Sequence, residues 1–301
     1  MGQQETAIGA MKLTVADLAA GFIFIGATVA SIVAERACGP DSENCGLTWS
    51  FKASRGPHCA TVHADGGGLG DPALTVGSLQ FTAALPYLVE EVAKMEGGTG
   101  NPSVLPVVAI YLGIASFLFH AHSTDLHHRL DMTGVTLLGP AVYDAVVSTP
   151  RGDTTPPWFP RWISKFYSAA AGLIARVVAF SIPLALICAL YPRGALMYAL
   201  NGSYGGLGLV GVFVWGVSVK TGYQRVSGLA LGVVSLLLGV VLISAGNGPS
   251  YWSCVPTQLG EPHYWGHFFA ALGTTLLSRR WNSQPEKTYV SLPSGRSSVY
   301  F

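Results

Sequence analysis

The chain has 301 residues, half of them apolar, with 11% charged, a mean hydropathy of +0.43 and a net charge of +1. Soluble domains carry about 25% charged residues, so this chain lacks the polar groups to cover a soluble globule. Its near-neutral balance also gives no electrostatic footing for a nucleic-acid partner.

The class that remains is an all-α, polytopic transmembrane bundle. The 37 glycines agree with it, because small residues let membrane helices approach closely. A spanning helix needs about 20 apolar residues, and eight runs approach that length. The first is 13–34. A glycine-rich, cysteine-bearing loop follows to residue 76. The second run, 77–92, is the weakest, because Glu90 and Glu91 interrupt its end and read as a membrane boundary. The third is 104–121 and the fourth 131–147, closed by the proline-rich TPRGDTTPPWFPRW. The remaining four are 169–191, 196–219, 227–245 and 263–278. The expected organisation is an N-terminal span with its cysteine loop (1–76), a seven-helix membrane domain (77–280) and a polar tail (281–301).

Eight spans leave both ends of this sequence on one side. Counted by alternate loops, one set holds 11 basic residues (Lys12, Lys94, Arg151, Arg161, Lys165, Lys220, Arg225, Arg279, Arg280, Lys287, Arg296) and the other holds 5 (Arg36, Lys52, Arg55, Arg129, Arg193). The richer set is expected to face the cytosol. Cys38, Cys45, Cys59 and Cys254 then fall on the oxidising side, where two disulfides of unspecified connectivity are expected. The first run also has features of a signal sequence, but its length and long polar lead favour a retained span. The start MGQQET fits a short myristoylation pattern.

Chemistry gathers where runs end. Ser116 and His120 are four apart near the end of the third run, so a helix puts them on one face. Asp131 opens the fourth run, and His263 and His267, again four apart, open the eighth. With the topology above, all five reach one depth near the non-cytosolic surface. Ionisable residues inside spans are costly and usually functional. Three histidines plus water make an open tetrahedral zinc site of the catalytic type, at which Asp131 can hold the water and accept its proton. Ser116 can donate to that water or to a developing oxyanion. Taken singly, the residues also have structural readings: His263 and His267 as interfacial residues at a helix start, Ser116 as a packing hydroxyl, Asp125 as a helix cap. His122, His127 and His128 are expected to face water in the turn.

The ordered pattern Ser116-x-x-x-His120, Asp131 eleven residues on, then His263-x-x-x-His267 in the last run resembles the CREST superfamily of seven-span metallohydrolases. That group includes alkaline ceramidases, GPI-lipid remodelling enzymes and the progestin and adiponectin receptors. The resemblance covers roughly 77–278. The eleven-residue step is like the ceramidases and the GPI-lipid enzymes, and LDMTGVTLL and HYWGHFFAALGT are most like ceramidases. The resemblance implies zinc on His120, His263 and His267, with Asp131 and Ser116 serving the water and the transition state. It implies hydrolysis of the amide of a ceramide-like lipid; the expected setting is an endoplasmic-reticulum, Golgi or plasma membrane, with the site on the luminal or extracellular side by the loop charge count. An ester hydrolase of GPI lipids or phospholipids and a lipid receptor are the alternatives within the group, and a proton-relaying transporter is the alternative outside it. The acidic calcium site of some ceramidases has no counterpart here, where GGGLGDPALTVGS and DSENCGLTW lack its spacing, so calcium is not expected.

Overall fold

The computed structural model describes residues 13–38, 72–96, 103–121, 124–147, 182, 203–206, 208–213, 229–246 and 262–279. Among them the chain is all-α, with no strand. The helices are α1 (Val15–Cys38), α2 (Pro72–Gly77), a 3-10 turn (Ser78–Ala84), α3 (Leu85–Glu96), α4 (Leu105–Ala121), α5 (Asp125–Val147), α6 (Leu229–Gly246) and α7 (Pro262–Ser278). By length and composition, one helix among the described residues, Val15–Arg36, is long and apolar enough to cross a membrane. Leu105–Ala121 and Ala230–Ala245 are apolar but shorter. Apart from Ile182, the expected run at 169–191 lies outside the described residues, as do the tail, Cys45, Cys59 and Cys254 of the expected disulfides, and most of the run at 196–219.

Two expected boundaries move. The run at 77–92 is the middle of a longer segment that begins at Pro72 and tightens into the 3-10 turn before continuing as α3. Asp131 does not open its helix. α5 begins at Asp125, nearly two turns earlier, and its cap is Thr124, whose Oγ1 accepts from His127 N at 3.2 Å. The polar turns DLHHRL are helical, although a hydropathy window cannot register them.

Local chemistry explains where the helices start. Thr14 and Asp17 form a reciprocal capping box on α1: Thr14 N donates to Asp17 Oδ2 at 2.7 Å and Asp17 N to Thr14 Oγ1 at 3.1 Å. Asp17 also accepts from Tyr87 Oη of α3 at 2.9 Å and pairs with Arg279, just past α7, at 2.8 Å. At the other end of α1, the hydroxyls of Ser31 and of fully buried Tyr264 in α7 lie 2.7 Å apart. These two ties set α1 antiparallel to α7. Gln80 of the 3-10 turn donates to Thr28 of α1 at 2.9 Å.

α4 and α5 form a helical hairpin, and the main apolar cluster joins them to α6 and α7 through Leu105, Val108, Leu112, Val142, Val233, Leu236 and Leu277. At the end of this hairpin away from His120, Asp144 of α5 accepts from Val104 N at 3.0 Å, which serves the exposed backbone at the start of α4. Glu91, read from the sequence as a boundary marker, is buried there and accepts from Ser103 N at 3.4 Å.

α6 and α7 meet through glycines. A Cβ on Gly239 would stand 2.5 Å from Ala270 N, and one on Gly273 would stand 2.6 Å from Leu236 N. Neither neighbour is a flexible side chain, so the helices would have to separate. Gly21 of α1 has nothing within 4 Å of its Cβ position. Gly273→Ala is therefore expected to destabilise the protein by about 1–3 kcal/mol, the usual cost of overpacking, while Gly21→Ala leaves it unchanged or slightly more stable. Thermal unfolding of the two variants against the parent in detergent measures this.

Candidate metal centre

The end of α4 carries Ser116 and His120, both buried. Asp131, also buried, comes from the second turn of α5. His263 and buried His267 lie in the first two turns of α7, which starts on Pro262. Proline suits the first helical position, where its missing N–H costs nothing. His263 is partly exposed.

The three imidazoles converge. Among the described residues, His120, His263 and His267 form a set able to hold a metal ion, each offering one ligand nitrogen, all within 4.8 Å of one another. The ring centroids of His263 and His267 are 4.8 Å apart, those of His120 and His267 5.2 Å, and those of His120 and His263 5.7 Å. The Nε2 atoms of His263 and His267 face each other at 3.1 Å.

These distances can be tested against a metal. With metal–nitrogen bonds of about 2.0–2.1 Å, tetrahedral ligands stand about 3.3 Å apart. His263 and His267 already meet that spacing. Relative to it, the 4.8 Å limit on the full set leaves at most about 1.5 Å for the histidines to close. A χ1 rotation of roughly 20° carries an imidazole nitrogen that far, which lies within the breadth of one rotamer well. The donor set is all imidazole, which suits zinc, copper, iron or nickel rather than calcium or magnesium.

Asp131 sits beside this set. Ser116 donates a hydrogen bond to its carboxyl group, and His120 is close enough to interact with it electrostatically. The buried Oδ1 of Asp131 has no hydrogen-bond partner. A buried acceptor left in that state is costly and suits a site that takes a water or a ligand. The structure thus gathers all five residues named from the sequence: three as potential ligands, and Ser116 and Asp131 as a hydrogen-bonded pair alongside. His128 stands apart from the ligand set, stacked on Phe119 at 4.8 Å, and His122 lies outside the described residues.

One polar residue of the site was not singled out in the sequence. Ser78, in the 3-10 turn, is fully buried, with its Oγ 3.2 Å from Ser116 Oγ and 3.4 Å from His267 Nδ1. Glycine permits its approach: a Cβ on Gly113 would stand 3.0 Å from the Ser78 carbonyl oxygen and 3.0 Å from Phe81 Cβ. A lone serine between apolar residues carries no spacing signal that could have marked it.

Comparison with family models, with curated proteins and with solved structures found no match. The geometry makes its own prediction. Purified protein should retain about one transition-metal ion per chain, His120→Ala and His267→Ala should each lose it, and His128→Ala should keep it. Elemental analysis of dialysed samples decides between these outcomes.

Proposed function

We propose that the protein is a zinc-dependent, multi-pass membrane hydrolase that cleaves the amide of a ceramide-like lipid to a long-chain base and a fatty acid. The observation that carries this reading is the convergence of His120, His263 and His267 beside the hydrogen-bonded pair Ser116–Asp131. The order and spacing of those five residues, which resemble the alkaline ceramidases, supply the substrate class.

The distribution of polar and apolar residues supports a bilayer setting. The interior is rich in hydroxyls: Ser31, Thr75, Ser78, Ser116, Thr133, Thr136 and Thr274 are all buried. The outer face of α1 shows Leu18, Phe22, Ile25, Val29, Ile32 and Val33 exposed, at spacings that keep them close to one side of the helix. Leaving such side chains in water forfeits about 1.5–3 kcal/mol each. Six sum to on the order of 10 kcal/mol, comparable with the whole stability of a domain. Lipid removes that cost. Trp265, exposed in the first turn of α7, suits the membrane–water interface. The excess of lysine and arginine in alternate loops supports a site on the luminal or extracellular side, and the membrane proposed is that of the endoplasmic reticulum, the Golgi or the cell surface.

The chain's own groups suffice for the proton movements. Bound zinc would supply Lewis acidity and activate water for attack. Asp131 takes the proton of the attacking water and returns it to the amide nitrogen as the C–N bond breaks. While Asp131 holds that proton it no longer needs the Ser116 hydroxyl, which can donate to the oxyanion formed from the carbonyl. The products are a carboxylic acid and an amine, with the atoms of one water added across the bond.

In vesicles containing an N-acyl sphingoid lipid, the protein is expected to release fatty acid, to lose that activity with a zinc chelator and to regain it with added zinc. Asp131→Asn should lower turnover by about 10²-fold or more while keeping its metal. Release from an ester lipid but not from the amide would move the assignment to an esterase. Release from neither by metal-loaded protein would overturn the hydrolase reading.

A further inference from the structure

The clearest unassigned group at the site is the Ser78 hydroxyl. It is fully buried, and three other polar groups surround it: the Leu74 carbonyl oxygen at 2.7 Å, Ser116 Oγ at 3.2 Å and His267 Nδ1 at 3.4 Å. Its residue comes from the 3-10 turn, an element that contributes none of the five residues named from the sequence. We propose that Ser78 is a positioning residue of the metal centre, holding His267 in the tautomer that carries its proton on Nδ1 and turns the Nε2 lone pair toward the metal. This inference rests on the three histidines being a metal site.

The donor count supports it. A serine hydroxyl has one proton and two lone pairs. The Leu74 carbonyl oxygen can only accept and is the nearest neighbour at 2.7 Å, so the proton goes there, or to Ser116 at 3.2 Å, rather than to His267 Nδ1 at 3.4 Å. Either choice leaves oxygen lone pairs for the third neighbour, and a neutral imidazole can fill one only with an N–H. His267 Nδ1 is the nitrogen that faces Ser78, so it bears the hydrogen, and Nε2 bears the lone pair. That Nε2 is the atom 3.1 Å from His263 Nε2. Phe81 packs edge-to-face with the same ring at a centroid distance of 6.2 Å, adding an apolar contact to the polar tether.

The tether extends further. When Ser78 donates to Ser116, and Ser116 donates to Asp131, the bonds run in one direction from the His267 N–H to the carboxylate. Ser78 therefore links a ligand of the metal to the residue that handles the proton. Partners of this kind fix ligand orientation, and their loss typically weakens metal binding 10–100-fold.

The test compares Ser78→Ala, Ser78→Cys and Ser78→Thr in the full-length protein in detergent. Zn²⁺ affinity is read by competition with a chromophoric chelator, ligand geometry by the visible absorption of the Co²⁺-loaded protein, and folding by thermal unfolding without metal. Ser78→Ala is expected to bind Zn²⁺ about 10-fold or more weakly and to shift the Co²⁺ bands. Ser78→Cys, close in size but a poor acceptor, should do the same, and Ser78→Thr should restore affinity. Unchanged affinity and Co²⁺ spectrum in Ser78→Cys, whatever its unfolding temperature, would overturn the positioning role while leaving the metal centre in place. Should Ser78→Ala fail to fold, the Cys and Thr pair decides alone. Parent protein that takes up neither Zn²⁺ nor Co²⁺ would overturn the metal reading itself, and this inference with it.

Discussion

Close backbone approach at glycine is the constraint on which the site depends. Gly113 lets the 3-10 turn press against α4, and Gly77 sits against the ring of Tyr264 in α7. Between these two contacts lies Ser78, within reach of both Ser116 and His267. A side chain at Gly113 would need the turn to back away by a few tenths of an ångström or more, and a hydrogen bond already at 3.2–3.4 Å has little to spare. The glycines that join α6 to α7 act in the same way further off. They fix the helix that carries two of the three histidines.

The interior around that frame carries many hydroxyls among its apolar side chains. Many of its serines and threonines bond back to their own helix, as Ser78 does to Leu74, Thr133 to Arg129 and Thr136 to Met132. Such bonds satisfy the hydroxyl without asking for a partner across the interface. A small buried hydroxyl then fills space much as alanine does, and only where geometry brings a second polar group close does it acquire a role between helices. Ser31 with Tyr264 is one such place, and Ser78 with His267 is another.

Much of this could be read from the amino acids. Runs at 13–34, 104–121 and 263–278 nearly coincide with α1, α4 and α7, because each is apolar along its length and stops at polar or helix-breaking residues. The five site residues were legible because two of their intervals are single helical turns and a third pairs an acid with a histidine across a short connection. What escaped notice did so for physical reasons. The start of α5 is polar, so apolar counting begins too late. The 3-10 turn has no period of its own to distinguish it from a continuous run. Ser78 acquires meaning from neighbours 38 and 189 positions away, and Glu91 accepts from Ser103 beyond the next loop. The apolar runs also promised more spans than length and composition show among the described helices, where α4 and α6 are apolar but short.

The pairing of α1 with α7 has a consequence for how the protein is made. Ser31 meets Tyr264 across 233 positions of sequence, and Asp17 meets Arg279 across still more. At 5–20 residues per second, a ribosome needs roughly 10–50 s to travel from one partner to the other. For that interval α1 holds a carboxylate and a hydroxyl prepared for groups that do not yet exist. Completion of the bundle, and of the histidine set with it, therefore waits for α7 and is an event late in translation.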